Sequence, residues 1–394
     1  MKWTLATVAT LVFLLLGISA WNPRQTVLAT TFDVALNNCI INLPTAGGIC
    51  DETALTGSQT IAATILINKP VKILMPISAT ITCSPTSGDC IDVEAPAEII
   101  CGKPSFSLTG SLTVLVAPTT GTWTVNVLMP SGGSQFSASG TTIDGCLFYG
   151  NATRTSSYGV RINNTYHVIV RNSAFDGEDI GINVTTTLSA LNGTEDSVFE
   201  NLTFNNDAFG IRSNVSTGGT STANYSWKNL QFNLVSSGDI GMSFESGSLP
   251  YFGEISAVKV WNFNTNTIGM SITTDMTGVT VSQMNCESNG SSGSLCVNSN
   301  SGSKMPTFFE LSGSGWGATN PFVFGIFDSG TTGVTQFSVL GSTLALYPLT
   351  FSNLGTGTRN GTLVYCSDCK IQNPCAGSGS GAIAKRLNGA WVCN

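Results

Sequence analysis

Hydrophobic and polar positions repeat along the middle of the chain. An apolar residue is followed two positions later by Asn or Gly, and three after that by an aromatic or other apolar residue. The clearest copies are Ile143-x-Gly145-x-x-Phe148, Val170-x-Asn172-x-x-Phe175, Phe199-x-Asn201-x-x-Phe204 and Trp227-x-Asn229-x-x-Phe232. Weaker copies are read at Val258/Phe263, Val281/Cys286, Leu311-x-Gly313-x-x-Trp316 and Val339-x-Gly341-x-x-Leu344. Their last positions are spaced by 27, 29, 28, 31, 23, 30 and 28 residues. A fixed period in this range marks a solenoid or repeat array, and it constrains the fold more than any local motif.

A second apolar signal follows each aromatic, as in Gly159-Val160-Arg161-Ile162, Gly181-Ile182-Asn183-Val184 and Gly210-Ile211-Arg212-Ser213. Both signals alternate with period two, which predicts strands with one buried face. No repeat contains an amphipathic helix, so leucine-rich and helical repeats are disfavoured. Propeller blades need ~40–50 residues and four strands. A unit of about 28 residues with two or three short strands fits one coil of a parallel β-helix.

Coils stacked ~4.8 Å apart would turn each slot into a ladder. Asn172, Asn201 and Asn229 would link their amides within a turn, and Phe148, Phe175, Phe204 and Phe232 would stack inside. The slot before the Asn reads Asp144, Arg171, Glu200 and Lys228, an outward row of alternating sign. That row sets register and contributes little energy, because exposed pairs are worth ~0–1 kcal/mol. Asn201 completes an N-glycosylation sequon, but its amide is expected to point into the turn and carry no glycan.

A β-helix needs its strand edges covered at both ends. Residues 31–44 predict a helical N-terminal cap: Phe32, Leu36, Ile40 and Leu43 share one face, Thr31 is the expected N-cap, and Pro44 with Gly47-Gly48 stops the helix. Residues 49–140 read as shorter, irregular coils with strands near 63–67, 71–75 and 91–93. The expected organisation is a β-helix over 31–360 and a Cys-rich closing module over 361–394.

Composition narrows the setting. Charged residues are 10% of the chain, against ~25% in ordinary globular proteins. The net charge of -7 argues against nucleic-acid binding, which needs a basic stripe. Residues 1–20 read as a secretory signal: Lys2, an apolar run over 5–16, then Gly17-Ile18-Ser19-Ala20. The run is short for a membrane span, and no later stretch would span, so a secreted or cell-surface protein is expected. Twelve cysteines fit export and predict disulfides, with Cys39/Cys50, Cys83/Cys90 and Cys286/Cys296 the local pairs. Cys366, Cys369, Cys375 and Cys393 have spacing a zinc ribbon also uses, though export favours disulfides.

The coil Val168-x-Val170-x-Asn172-x-x-Phe175, the Asn ladder and the cap helix resemble the right-handed parallel β-helix superfamily of pectate lyases, polygalacturonases and phage tailspikes. The resemblance spans roughly residues 31–350. It implies an all-β, right-handed parallel β-helix solenoid. It says little about activity, because this fold hosts lyases, hydrolases, epimerases, adhesins and inert surface proteins. Proteins of this fold often trimerise, so a homotrimer is one assembly the resemblance implies.

Candidate chemistry collects in Asp176-Gly177-Glu178-Asp179-Ile180-Gly181-Ile182, the turn that enters the second strand. Glu178 and Asp207 share one offset from their phenylalanines, and Asp179 and Asp239 share one offset from their glycines. Arg161, Asn183 and Arg212 occupy one outward slot. Stacking is expected to gather these groups, with Asp179, Asp207 and Arg212 as catalytic candidates and Glu178, Asp239, Arg161, Asn183 and Trp261 as substrate contacts. Paired carboxylates suit glycosidic cleavage, and the same oxygens suit Ca²⁺. Gly177-Glu178-Asp179 resembles the paired-carboxylate motif of polygalacturonases. The following coil should then carry Gly-His-Gly, but it reads Ala208-Phe209-Gly210, and no Arg-x-Lys element follows. Pectate-lyase chemistry needs acidic Ca²⁺ ligands and a basic residue, for which Asp179, Asp207, Asp239 and Arg212 remain available. Structural roles compete with all of these, since Asp in β-helix turns commonly caps backbone amides. His167, the only histidine, is expected to be a turn residue, and Trp227 and Trp316 to fill core slots. The expected function is binding, and cleavage, of polysaccharide. The rival is a non-enzymatic adhesin, fibre or envelope protein.

Overall fold

The computed structural model describes residues 31–101, 113–118, 121–150, 154–187, 193–215, 221–245, 247–248, 250–262, 264–288, 294–299, 306–314, 324–326, 348–355 and 360–394. The expected leader, Phe263, Trp316 and the Val339/Leu344 copy lie outside the described residues. The chain divides into two units, residues 1–334 and 335–394.

The first described element of the first unit is the cap helix, Phe32–Asn42. Phe32, Ala35, Leu36, Cys39 and Ile40 bury one face against the first coil. Thr31 is extended but does not cap with its side chain. Its hydroxyl donates instead to the Asp33 carboxylate (2.7 Å), which also accepts the N–H groups of Val34 (2.8 Å) and Ala62 (2.9 Å). A carboxylate in the first turn meets unpaired helix donors with more charge than a hydroxyl offers. At the other end, Lys69 Nζ donates to the carbonyls of Ile41 (2.9 Å) and Leu43 (2.8 Å), answering the last acceptors of the helix.

Behind the cap the chain is an all-β parallel β-helix solenoid. One sheet carries two rows of rungs. In the early coils they are separate short strands, such as Ile169–Arg171 and Ala174–Asp176. From Val198–Asn205 onward they fuse into single strands, followed by Ser226–Leu234, Glu254–Asn262, Thr280–Ser288 and Thr307–Ser314. A second sheet runs through Trp123–Leu128, Tyr158–Asn163, Ile180–Thr186, Phe209–Val215, Ile240–Phe244 and Ile268–Ile272. A short third pairing joins Gly193–Glu195 to Ser221–Ala223.

The register corrects the weaker repeat copies. Ile143, Val170, Phe199, Trp227, Ile255, Val281 and Phe308 occupy one slot, in steps of 26–29 residues. Val258 lies opposite Leu230 and Leu311 opposite Met284, so both copies were read three residues out of step. The expected irregular spacings came from that slip. Its cause is physical: the bend slot holds Gly145, Asn172, Asn201 and Asn229, then Ala257, Gln283 and Glu310, all with φ between +50° and +71°. The backbone keeps its left-handed bend after the residues that favour it run out.

The ladders form as the sequence predicts. Asn229 Nδ2 donates to Asn201 Oδ1 (2.6 Å), Asn201 to Asn172 (3.0 Å), and Asn172 to Asp144 (2.9 Å). Phe148, Phe175, Phe204 and Phe232 stack at 4.8, 5.0 and 4.9 Å between ring centroids. Outside, Arg171 pairs with Asp144 and Lys228 with Glu200. Under the phenylalanines lies a glycine column. A Cβ at Gly181 would meet the Gly210 carbonyl at 2.7 Å and the Phe204 ring at 2.9 Å.

All twelve cysteines are paired. Cys39–Cys50, Cys83–Cys90 and Cys286–Cys296 form as expected, and Cys101–Cys146 joins two adjacent coils across a sequence separation of 45. The second unit is an antiparallel arrangement of Leu363–Cys366, Ala382–Leu387 and Ala390–Cys393, closed by Cys366–Cys369 and Cys375–Cys393. Those four sulfurs are thereby spent, and the zinc alternative has no thiolates to use. Six disulfides fit an oxidising compartment. Among the described residues, no helix is long and apolar enough to cross a membrane.

Candidate functional site

The outer face of the second sheet carries two parallel rows. Inward pointing alternates along each strand until the glycine column breaks it. Gly159 faces the Phe175 ring, and Val160 beside it also enters the core. Two consecutive inward residues leave the positions on either side outward. One outward row is Asn126, Arg161, Asn183, Arg212, Ser243 and Ser271; the other is Trp123, Tyr158, Ile180, Phe209, Ile240 and Ile268. None of this second, apolar row joins the main core cluster.

The polar row is recessed. Asn126, Asn183, Ser243 and Ser271 point outward yet are buried, while Arg161 and Arg212 are half-buried. Trp123 and Tyr158 stack at 4.8 Å. The guanidinium of Arg161 lies 6.0 Å from the Trp123 ring centre and that of Arg212 5.3 Å from Phe209. Asn126 donates to Asp89 (2.8 Å) and Asp92 (3.2 Å). Burial and then the neighbouring Asp89 push the Asp92 carboxyl up to about 6. Burial also pulls the Arg161 guanidinium down, against the opposing pull of Asp89 and Asp92. In three successive coils a buried polar atom makes no hydrogen bond: Asn126 Oδ1, Arg161 Nε and Asn183 Oδ1. Buried polar atoms of this kind cost about 1–3 kcal/mol each unless water or a ligand meets them.

The acids expected beside this row sit differently. Glu178 is 0% exposed and Asp207 3%. Asp207 accepts the Glu178 backbone N–H at 2.7 Å, while both Glu178 oxygens and Asp207 Oδ2 make no hydrogen bond of normal geometry. Burial holds both carboxyls well above the usual range. The charge of Asp207 adds to the effect at Glu178, and the Ser157 hydroxyl opposes it; at Asp207 the Glu178 N–H opposes it. Asp239 is also raised by burial, although Arg154 contacts it at 2.6 Å. Asp179 is half-buried, and its own N–H donates to the Ser157 carbonyl at 2.8 Å.

Of the expected constellation, Arg161, Asn183 and Arg212 therefore share one row, and Glu178 and Asp207 touch across a coil. The two groups do not merge. Arg212 is held by Glu245 through two bonds, 2.6 and 2.9 Å, and Arg161 faces Asp89 and Asp92. The arginine beside the acids is Arg154, which bonds Asn206 (3.2 Å) as well as Asp239. It was missed because it sits in a turn and reaches across two coils. Trp261 pairs in register with Asn233 and Glu287 on the first sheet, away from this face. His167 is an exposed turn residue with φ +52°.

These positions bear on chemistry. An acid or nucleophile for a sugar bond must reach the substrate, and Glu178 and Asp207 are sealed from solvent. A Ca²⁺ ion takes six to eight oxygens, and among the described residues no three carboxylate side chains each bring an oxygen within 4.8 Å of the others.

No protein-family model matches the chain, and no curated protein matches it. Among solved structures, it is similar to the N-terminal fragment of bacteriophage Phi29 gene product 12, with a TM-score of 0.34 and 10% identity over 79% of this chain and 74% of that one. It is also similar to bacteriophage CBA120 tailspike protein 3, with a TM-score of 0.32 and 8% identity over 94% of this chain and 67% of that one. Likenesses this remote carry no argument about activity.

Proposed function

We propose that this is an exported surface protein that binds a linear polysaccharide along the outer face of the second sheet and does not cut it. The observation that carries the reading is the pairing of rows: partly open rings at Tyr158 and Phe209 beside the half-buried guanidinium side chains of Arg161 and Arg212. The two rows repeat from coil to coil every ~4.8 Å, as the units of a polymer repeat along its length. Aromatic faces with a few placed polar groups are the ordinary equipment of a ligand groove. Asp89, Asp92 and Glu245 offset the two arginines, so a neutral chain is favoured over a uronate. Binding without cleavage also accounts for acids that are buried.

Retention on immobilised neutral and uronate polysaccharides, with assays for new reducing and unsaturated ends, tests the reading. The expected result is retention on a neutral polysaccharide and no new ends. Release of new ends, or no retention on any polysaccharide, would overturn it.

A further inference from the structure

A second row of left-handed residues lies five positions ahead of the bend slot: Gly140, His167, Asp196, Asn224, Phe252 and Gly278, with φ between +50° and +84°. Five of these are residues that enter this region readily or with little strain, because Gly lacks a Cβ and Asn, Asp and His are enriched there. Phe252 is the exception. Its aromatic side chain gains little in return, since it is 68% exposed. A bulky residue held in a strained conformation at the surface is the kind of outlier from which function is inferred.

The surroundings are shaped around it. A Cβ at Gly278 would fall 2.8 Å from Phe252 Cδ1, so the ring lies close against the bare backbone of the next coil. A Cβ at Gly253 would fall 2.2 Å from the Tyr225 ring. Beside Phe252 opens a recess of about 470 Å³ lined also by Asn224, Ser226, Glu254 and Thr280. Asn224 and Glu254 are exposed. Tyr225, whose buried hydroxyl makes no hydrogen bond, also lines it. No lysine or arginine is among the lining residues.

We infer that this recess is a separate saccharide subsite, in which the Phe252 ring stacks on a neutral sugar ring and Glu254 and Asn224 bind its hydroxyls. The inference takes from the preceding reading only the class of ligand. An aromatic face gives an amphipathic ring its apolar contact. A carboxylate and an amide together accept from and donate to neighbouring hydroxyls. The same carboxylate, with no lysine or arginine among the residues lining the recess, repels a uronate. The site lies where the chain passes from the short third pairing into the first sheet, apart from the rows of the second sheet.

The test uses the full chain, made in a host that adds no N-glycans, and titrates cellohexaose, maltohexaose, mannohexaose and hexagalacturonate by calorimetry. Phe252→Asn keeps the left-handed backbone and removes the ring. It is expected to melt no lower than wild type, to weaken the best neutral hexasaccharide at least fivefold, and to abolish the binding left in a Tyr158→Ala background. Hexagalacturonate is expected not to bind at this site. Unchanged affinity in Phe252→Asn, or a lowered melting temperature marking a packing role, would overturn the inference and leave the groove reading in place. So would complete loss of binding in Tyr158→Ala alone. Failure of every hexasaccharide to bind wild type would overturn both readings.

Discussion

The Asp207 carboxylate accepts the backbone N–H of Glu178 at 2.7 Å, linking one coil to the next inside a sealed turn. The bond satisfies one donor, but it leaves two carboxyls in a place where charge is costly. Burial raises both of them well above their ordinary values, so each binds its proton more tightly folded than unfolded. The stabilisation that follows is complete below the unfolded values of ~4 and is lost as pH rises through the folded values. Glu52, pushed up to about 7 by burial and then by Asp51, and Asp92, at about 6, act in the same direction. Thermal melts are expected to show stability falling from pH 5 to pH 9. Asp207→Asn keeps an acceptor for Glu178 and removes one titrating group, so its decline is expected to be shallower. Parallel slopes for the two proteins would contradict this account.

The aromatic ladder should dominate folding energy. Phe175 is fully buried between two rings, and Phe175→Ala is expected to cost ~3–5 kcal/mol in denaturant unfolding. Gly181→Ala places a methyl group within 3 Å of a backbone carbonyl and a ring, and is expected to destabilise as severely or prevent folding. The exposed rung should matter little. Lys228→Ala removes the pair with Glu200 and is expected to change stability by ~0–1 kcal/mol.

Asn201 combines two roles that substitution can separate. It sits at φ +56° and bonds an amide neighbour on each side. Asn201→Gly keeps the bend and loses only the side-chain bonds, whereas Asn201→Val loses both. The valine variant is expected to be the less stable by ~1–2 kcal/mol, the cost of forcing a branched residue into this region. Equal stabilities, read by chemical denaturation, would mean the bend imposes no strain here.

The architecture was legible where one residue type owns one slot. Phenylalanine marks the inner stack and asparagine marks the bend, so the coils from Gly145 to Asn229 could be placed from sequence. Beyond them Ala257, Gln283 and Glu310 take the same backbone conformation without any preference for it, and the pattern slipped by three. The outward slot of Arg161, Asn183 and Arg212 was readable from its fixed distance to the glycines. Its apolar companion row was not, because Gly159 and Val160 both face inward and break the alternation that strand reading depends on. The partners of the arginines were also hidden: Arg212 pairs with Glu245 and Arg154 with Asp239, contacts set by stacking rather than by spacing along one coil.

The central claim is that the two rows on the second sheet form the binding groove. The most direct measurement is the dissociation constant of a soluble neutral polysaccharide for wild type, for Tyr158→Ala/Arg161→Gln, and for a control on the outer row of the first sheet, Arg171→Ala/Lys228→Ala. The groove variant removes one ring and one guanidinium from adjacent rows, while the control removes two exposed charges from the other face. The account predicts at least tenfold weaker binding for the groove variant and unchanged binding for the control. Equal affinity in all three, or a loss confined to the control, would contradict it.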